Sequence, residues 1–252
     1  FNQQALEPYW REIRTFVLND GTDCPMPLEH EFSMDTSSGF YKQTKEVYEY
    51  DKHLTEEERI IALFWADDPG ETSTPPGHWI YIMNNMVNST KMSLDKAAEM
   101  YGMAGVGIAD AFVACWTTKY EINLVRPKTL IREHFGEPGW EPYVETPPFP
   151  EYTSGHSNVS GSAATILTHL LGEHPFVDST HMIIGLEPRS FDSFWDAAEE
   201  AAWSRLYGGI HYKMAIERGL DQGKCVGEKV IESIKLKIDS NDEPQAMKSE
   251  ES

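Results

Sequence analysis

Positive charge is scarce in this chain, and it gathers where chemistry would need it. The 252 residues carry 21 Lys and Arg against 41 Asp and Glu, a formal net charge of −20 at pH 7. Three short segments stand out against that background. In KYEINLVRP, Lys119 and Arg126 lie seven residues apart; on one continuous helix both side chains would leave the same face. Two cations stacked this way repel unless an anion sits between them, or unless Glu121 or Glu133 pairs with them on a solvated edge. In YTSGHSNVSG, the residues Ser154, Gly155 and His156 stand at the mouth of a helical pattern. A helix N-terminus offers unpaired N–H groups and the positive end of the helix dipole. Gly155 would let an oxyanion approach the backbone, Ser154 adds a hydroxyl donor, and His156 can give or take a proton near neutral pH. The plain alternative is a Ser cap followed by a partly buried His. In WSRLYGGIHYKM, Arg205 and His211 would point to different faces of one helix. Gly208-Gly209 breaks that helix, so Arg205 can end one element and His211 begin the next; a Gly-Gly turn with a capping Arg and a surface His is the alternative. Together the three segments supply a Lys, two Arg, a hydroxyl, backbone N–H groups and two His. That set suits a tetrahedral oxyanion held beside a nucleophile and a general acid.

Helical patterns must position these groups. Leu54–Asp67 has a Thr55 cap, acids in its first turn and an apolar end. The apolar, Asn-rich stretch Gly77–Met92 follows. Ser93 then caps a long helix that Pro127 bounds, and its Gly102, Gly105 and Gly107 suggest close approach to a neighbour. Residues 135–153 read as a Pro- and Gly-rich loop. Further helices are expected over His156–Leu171, Ser190–Tyr207 and Tyr212–Lys237. This predicts one α-helical catalytic domain over 1–238 and a disordered acidic tail over 239–252.

Composition excludes some functions. The strong negative charge repels nucleic acid and anionic lipid. No apolar run of about 18 residues is apparent, so no membrane span is expected. Cys24, Cys115 and Cys225 are far apart and odd in number, which predicts neither a metal pair nor a disulfide framework and leaves the redox compartment open. The first residues lack an initiator Met and show no signal peptide, so the expectation is a chain cut from a longer precursor.

In order and spacing the three segments resemble the superfamily that joins type 2 phosphatidic acid phosphatases to vanadium-dependent haloperoxidases. Its motifs are Lys-x6-Arg-Pro, Pro-Ser-Gly-His and Ser-Arg-x5-His-x3-Asp. Lys119 to Pro127 matches the first; Thr153 replaces the Pro of the second; Ala215 stands where the third has Asp. In the phosphatases that Asp orients the nucleophilic His, and Asp67 or Asp68 in FWADDPG, or Glu217, are candidates for its part. Trp116 and Phe149 match the Trp and Phe that line the halide side in fungal chloroperoxidases of this class. Read alone, Trp116 is equally core at helical spacing and Phe149 loop packing. The whole chain, including FWADDPG and TPPGHW, is similar to the C-terminal part of bacterial vanadium haloperoxidases, which implies an N-terminal helical portion of the same precursor.

The resemblance implies an all-α helical bundle of the acid phosphatase/vanadium haloperoxidase type, with vanadate as cofactor and phosphate able to compete. His211 would bond vanadium through Nε2. Lys119, Arg126 and Arg205 would neutralise the equatorial oxygens, with Ser154 and the Gly155 N–H adding hydrogen bonds. His156 would shuttle protons, and Lys119 would polarise hydrogen peroxide for attack by halide, iodide or bromide being favoured. Small organic nucleophiles would accept the product. Export from the cytoplasm is implied, and a homo-oligomer is left open. Two other readings stand beside this one: a phosphatase using a phosphohistidine at His211, and a non-catalytic oxyanion-binding module in which Ala215 marks decay.

Overall fold

The computed structural model describes residues 6–70 and 72–235; the tail read at 239–252 lies outside them, and the last helix, expected to run to Lys237, ends instead at Ser233, where Ile234 turns extended. Eight α-helices follow in chain order: α1 Gly39–His53, α2 Glu56–Phe64, α3 Pro75–Thr90, α4 Leu94–Ile122, α5 Pro127–His134, α6 Gly155–Leu171, α7 Phe194–Tyr207 and α8 Lys213–Ser233. The all-α expectation holds, with one small addition. Between α6 and α7, β1 (Phe176–Asp178) pairs antiparallel with β2 (Arg189–Phe191), Phe176 facing Phe191. The helix expected from Ser190 therefore starts at Phe194, where Ser193 accepts the Asp196 N–H as N-cap. α1 and α5 fall in stretches to which the sequence reading assigned no element. In α1 the five consecutive polar residues Lys42 to Glu46 interrupt the apolar pattern, which hides its apolar face.

Local chemistry sets the ends that matter. Thr55 and Glu58 form a reciprocal capping box on α2. Pro75 and Pro76 open α3, where a missing N–H does no harm. α4 stops at Ile122 because Asn123 turns left-handed at φ 52°. The segment Leu94–His134 contains an 18-residue window apolar enough to cross a membrane, contrary to the sequence reading, but 72 % of that window is buried inside the protein. Its hydrophobicity thus belongs to a core helix.

α6 lies at the centre, packed on α4, α7 and α8. Small residues permit this. A Cβ at Gly223 on α8 would come within 2.0 Å of the Asn158 carbonyl oxygen, so only glycine allows the two backbones to meet there. On α4, Gly107 faces Ile166 and Ser162 of α6 in the expected way, whereas Gly102 and Gly105 have nothing near them. Below the junction, buried Gln222 accepts from Thr153 Oγ1 and Asn158 Nδ2, both at 2.7 Å, and donates to Thr118 Oγ1 at 2.9 Å and the Cys24 carbonyl at 3.0 Å. The cysteine reading is corrected: Cys24 and Cys225 form a disulfide across 201 residues, and Cys115 is free and buried. The N-terminal segment is held on α4 by Asp110, which accepts the N–H groups of Phe16, Val17 and Leu18; this contact brings Cys24 within reach of α8.

Candidate active site

All three charged segments converge beneath the N-terminus of α6, although not by the route that spacing suggests. Lys119 is in the last turn of α4, while Arg126 lies beyond the left-handed Asn123, as the extended N-cap of α5. The two therefore do not share a helix face; the turn between α4 and α5 aims both at the 149–151 loop. Lys119 Nζ donates to the carbonyls of Pro150 and Glu151, each at 2.9 Å, rather than pairing with Glu121 or Glu133. Arg126 Nε donates to the Phe149 carbonyl at 3.0 Å and Nη1 to that of Ile210 at 2.9 Å.

His211 stands just before α8, after the Gly208-Gly209 break, as expected. Its Nδ1 is 2.7 Å from Glu151 Oε1, which also accepts the Tyr212 N–H at 2.9 Å. A carboxylate opposite Nδ1 fixes the proton there and leaves Nε2 as a bare lone pair, which faces Arg126 Nη1 at 3.1 Å. Glu151 is thus the partner for which Asp67, Asp68 and Glu217 had been candidates. Asp67 instead pairs with His78 and His181, Asp68 lies in the field of Arg205, and Glu217 meets Lys213 at 3.8 Å on the surface. Sequence reasoning missed Glu151 because it sought the replacement in FWADDPG and, at Glu217, beside the vacated Asp position. The one available signal was an acid inside the apolar, proline-rich run before Ser154.

Ser154 is the N-cap of α6; its Oγ accepts the Ser157 N–H at 3.3 Å, so its own proton is available to donate. A Cβ on Gly155 would reach the Trp116 ring at 3.6 Å, filling the space beside the helix N-terminus. His156 follows, with Nε2 3.6 Å from Asp67 Oδ2 and its side chain 16 % exposed, more open than Lys119, Arg126, Arg205 and His211, which are buried. Arg205, in the last turn of α7, donates to Ser204 Oγ at 2.9 Å and to the Ala62 carbonyl at 3.1 Å. Trp116 and Phe149 touch at 5.0 Å between ring centroids. The Phe149 ring also lies 5.0 Å from Lys119 Nζ and from the Arg126 guanidinium. Trp10, which sequence reasoning did not single out, packs on Trp116 at 5.0 Å and extends this aromatic wall.

Electrostatics show what the pocket lacks. Burial pulls Lys119 down to about 7, with Arg126 adding to the effect. Burial brings Arg126 and Arg205 each to about 10. His211 is held well below its ordinary value by burial and then by Arg126, Lys119, Arg205 and His156, so all these charges act on one point. Burial pushes Glu151 up to about 7 against the pull of Arg126 and Lys119. Arg126 Nη2 and His156 Nε2 are buried with no hydrogen-bond partner among the described residues. Buried cations with an unused donor and a bare imidazole nitrogen fit an oxyanion such as vanadate.

Comparison with known proteins agrees. A family model described as the VCPO second helical-bundle domain matches residues 99–240, more than half of the chain. A vanadium chloroperoxidase from Curvularia inaequalis is 23 % identical over 212 residues, covering 60 % of this chain and 35 % of that protein. The structure of a bacterial vanadium-dependent iodoperoxidase matches with a TM-score of 0.89 at 43 % identity, over 92 % of this chain and 58 % of that one. A holo-type bacterial vanadium-dependent chloroperoxidase matches with a TM-score of 0.78 at 17 % identity, over 91 % of this chain and 55 % of that one, a likeness of fold alone. This chain therefore spans about a third of the curated relative and somewhat over half of the solved ones.

Proposed function

Because this chain belongs to the family of the VCPO second helical-bundle domain, we propose that it binds vanadate and uses hydrogen peroxide to oxidise a halide, iodide first, to hypohalous acid. The observation that carries this reading is the bare Nε2 of His211, set by the Nδ1–Glu151 contact at 2.7 Å and ringed by Lys119, Arg126 and Arg205. When bound, vanadate supplies a Lewis-acid centre that activates peroxide without changing its own oxidation state. Every other role falls to the chain. His211 Nε2 is the ligand atom. The three cations hold the anionic charge, and Ser154 with the Gly155 N–H orients the oxyanion at the α6 terminus. Lys119 polarises hydrogen peroxide from a position fixed by the Pro150 and Glu151 carbonyls. His156, neutral at rest because burial and Arg205 bring it down to about 3, takes up and returns a proton at Nε2. Trp116 and Phe149 exclude water on the halide side.

Ala215 does not argue for a decayed module, since Glu151 supplies the carboxylate that His211 needs. The Cys24–Cys225 disulfide supports an oxidising, extracytoplasmic compartment. The test is peroxide-dependent iodide oxidation by vanadate-free protein, with vanadate added back and with phosphate as competitor. Activity should return with vanadate and fall with phosphate. Activity independent of vanadate, or phosphate-ester hydrolysis without halide oxidation, would refute the reading.

A further inference from the structure

Beside His156 lies a buried network of histidines and carboxylates. His78 of α3 is fully buried, with Nδ1 2.9 and 3.2 Å from the two Asp67 oxygens and Nε2 2.7 Å from Asp178 Oδ2. Both ring nitrogens thus face carboxylate oxygens. A neutral imidazole carries one N–H and would set a lone pair against an oxygen lone pair at one of these contacts; only the imidazolium donates at both. The Trp65 ring stacks on His78 at 4.3 Å and 21°, an arrangement that favours a cation. Asp178 is fixed by the Thr180 N–H at 2.9 Å and its hydroxyl at 2.6 Å. Asp67 sits in a left-handed backbone conformation, φ 54°, and its Oδ1 also takes His181 Nε2 at 3.0 Å. Its contact with His156, at 3.6 Å, is too long for a hydrogen bond.

We propose that Asp178, His78 and Asp67 form a positioning triad for His156, in which a fixed imidazolium at His78 takes up the Asp67 charge, so that His156 rests neutral with a carboxylate in reach of the proton it acquires. This deepens the acid–base role given to His156 above and rests on it. The groups acting on His156 are Arg205 from α7, Asp67 from the α2–α3 loop, His78 from α3 and His211 ahead of α8, with a backbone hydrogen bond to Trp65. Arg205 and His78 oppose a charge on His156, and Asp67 favours it. For His78, burial is outweighed by Asp67 and Asp178, which raise it to about 9. Loss of the His78 cation should therefore leave Arg205 alone of these two opposing charges, and strengthen the net pull of Asp67 on His156.

The experiment uses the full chain with 15N-labelled histidine, free of vanadate, peroxide and halide, and follows ring-nitrogen shifts against pH. At pH 7, taken as about neutral, His78 should carry two protonated nitrogens and His156 should be neutral. His78→Gln should move the His156 midpoint upward by about one pH unit or more, and Asp178→Asn should lower the His78 midpoint. A neutral His78 at pH 7 in the parent, or a His156 midpoint unmoved or lowered by His78→Gln, would overturn the proposal. So would a stoichiometric divalent metal in the purified protein, because Asp67, His78 and His181 place ligand atoms within 4.8 Å of one another. Should His78→Gln fail to fold, Asp178→Asn decides: a lowered His78 midpoint supports the triad and an unchanged one sinks it. Since no substrate is present, a parent that fails to oxidise halide would defeat the proposed function and leave this result standing.

Discussion

Replacing Glu151 separates its charge from its geometry. Oε1 accepts two hydrogen bonds, from His211 Nδ1 at 2.7 Å and the Tyr212 N–H at 2.9 Å. Glu151→Gln keeps the volume and an oxygen in that place, so the His211 tautomer should survive. What is lost is the difference between a charge-assisted bond and a neutral one, about 1–1.5 kcal/mol, or roughly a five- to tenfold weaker vanadate Kd. Glu151→Ala leaves a buried N–H without an acceptor, about 1–3 kcal/mol, and frees the proton to move to Nε2, where it blocks the ligand lone pair. Its vanadate Kd should weaken by roughly 10²-fold or more, corresponding to about 3 kcal/mol.

Stability should move the opposite way. Glu151 is raised to about 7 from 4.5, so its contribution is present below 4.5 and is lost as pH rises through about 7. Above that pH, vanadate-free Glu151→Gln should melt higher than the parent while binding vanadate less well. The assays are a vanadate titration and a thermal melt of each variant. Parent-like affinity in Glu151→Ala would show that Glu151 does not fix His211. An equal loss in both variants would show that charge, and not the acceptor, sets affinity.

The two histidines should separate in the same titration: His211→Ala should bind vanadate sharply less well and lose turnover. His156→Ala should bind with less loss and fall about 10²–10⁴-fold in peroxide-dependent oxidation at saturating vanadate; the reverse pattern would exchange their roles. Lys119, lowered to about 7 from 10.5, contributes stability that is present above 10.5 and lost as pH falls through about 7. Vanadate-free Lys119→Met should therefore lose less stability than the parent on descending from pH 10 to pH 7, about the span of that shift, in urea melts; parallel curves would mean that the ammonium is not penalised. Removing the Cys24–Cys225 bond, which closes 201 residues, should destabilise by up to about 5 kcal/mol in the chain-entropy limit, read as a lower urea midpoint. An unchanged midpoint would show that the bridge does not constrain the unfolded chain.

What the sequence made legible was local. Ser154 as a cap, Gly155 and His156 at a helix mouth, and Arg205 and His211 across a glycine break all depend on neighbours within a few residues, and the structure keeps them. The Lys119–Arg126 pair was found for a reason that fails: the helix ends between them, and both arrive at one pocket because Asn123 turns the chain. Contacts between distant segments left no periodic trace. Glu151 meets His211 across 60 residues, His78 meets Asp178 across 100, and Cys24 meets Cys225 across 201. The same limit explains why Ala215 misled. A motif records where a carboxylate stands along the chain, whereas the imidazole requires only an acceptor opposite Nδ1. Ala215 is fully buried and its carbonyl accepts the Ser154 N–H at 3.0 Å, so this turn of α8 ties down the mouth of α6. The acceptor comes instead from the loop entering that mouth, where the Glu151 carbonyl also holds Lys119 and its carboxylate holds His211. One residue therefore couples the proposed peroxide-polarising group to the proposed vanadium ligand, a linkage that an Asp at position 215 would not make through its backbone.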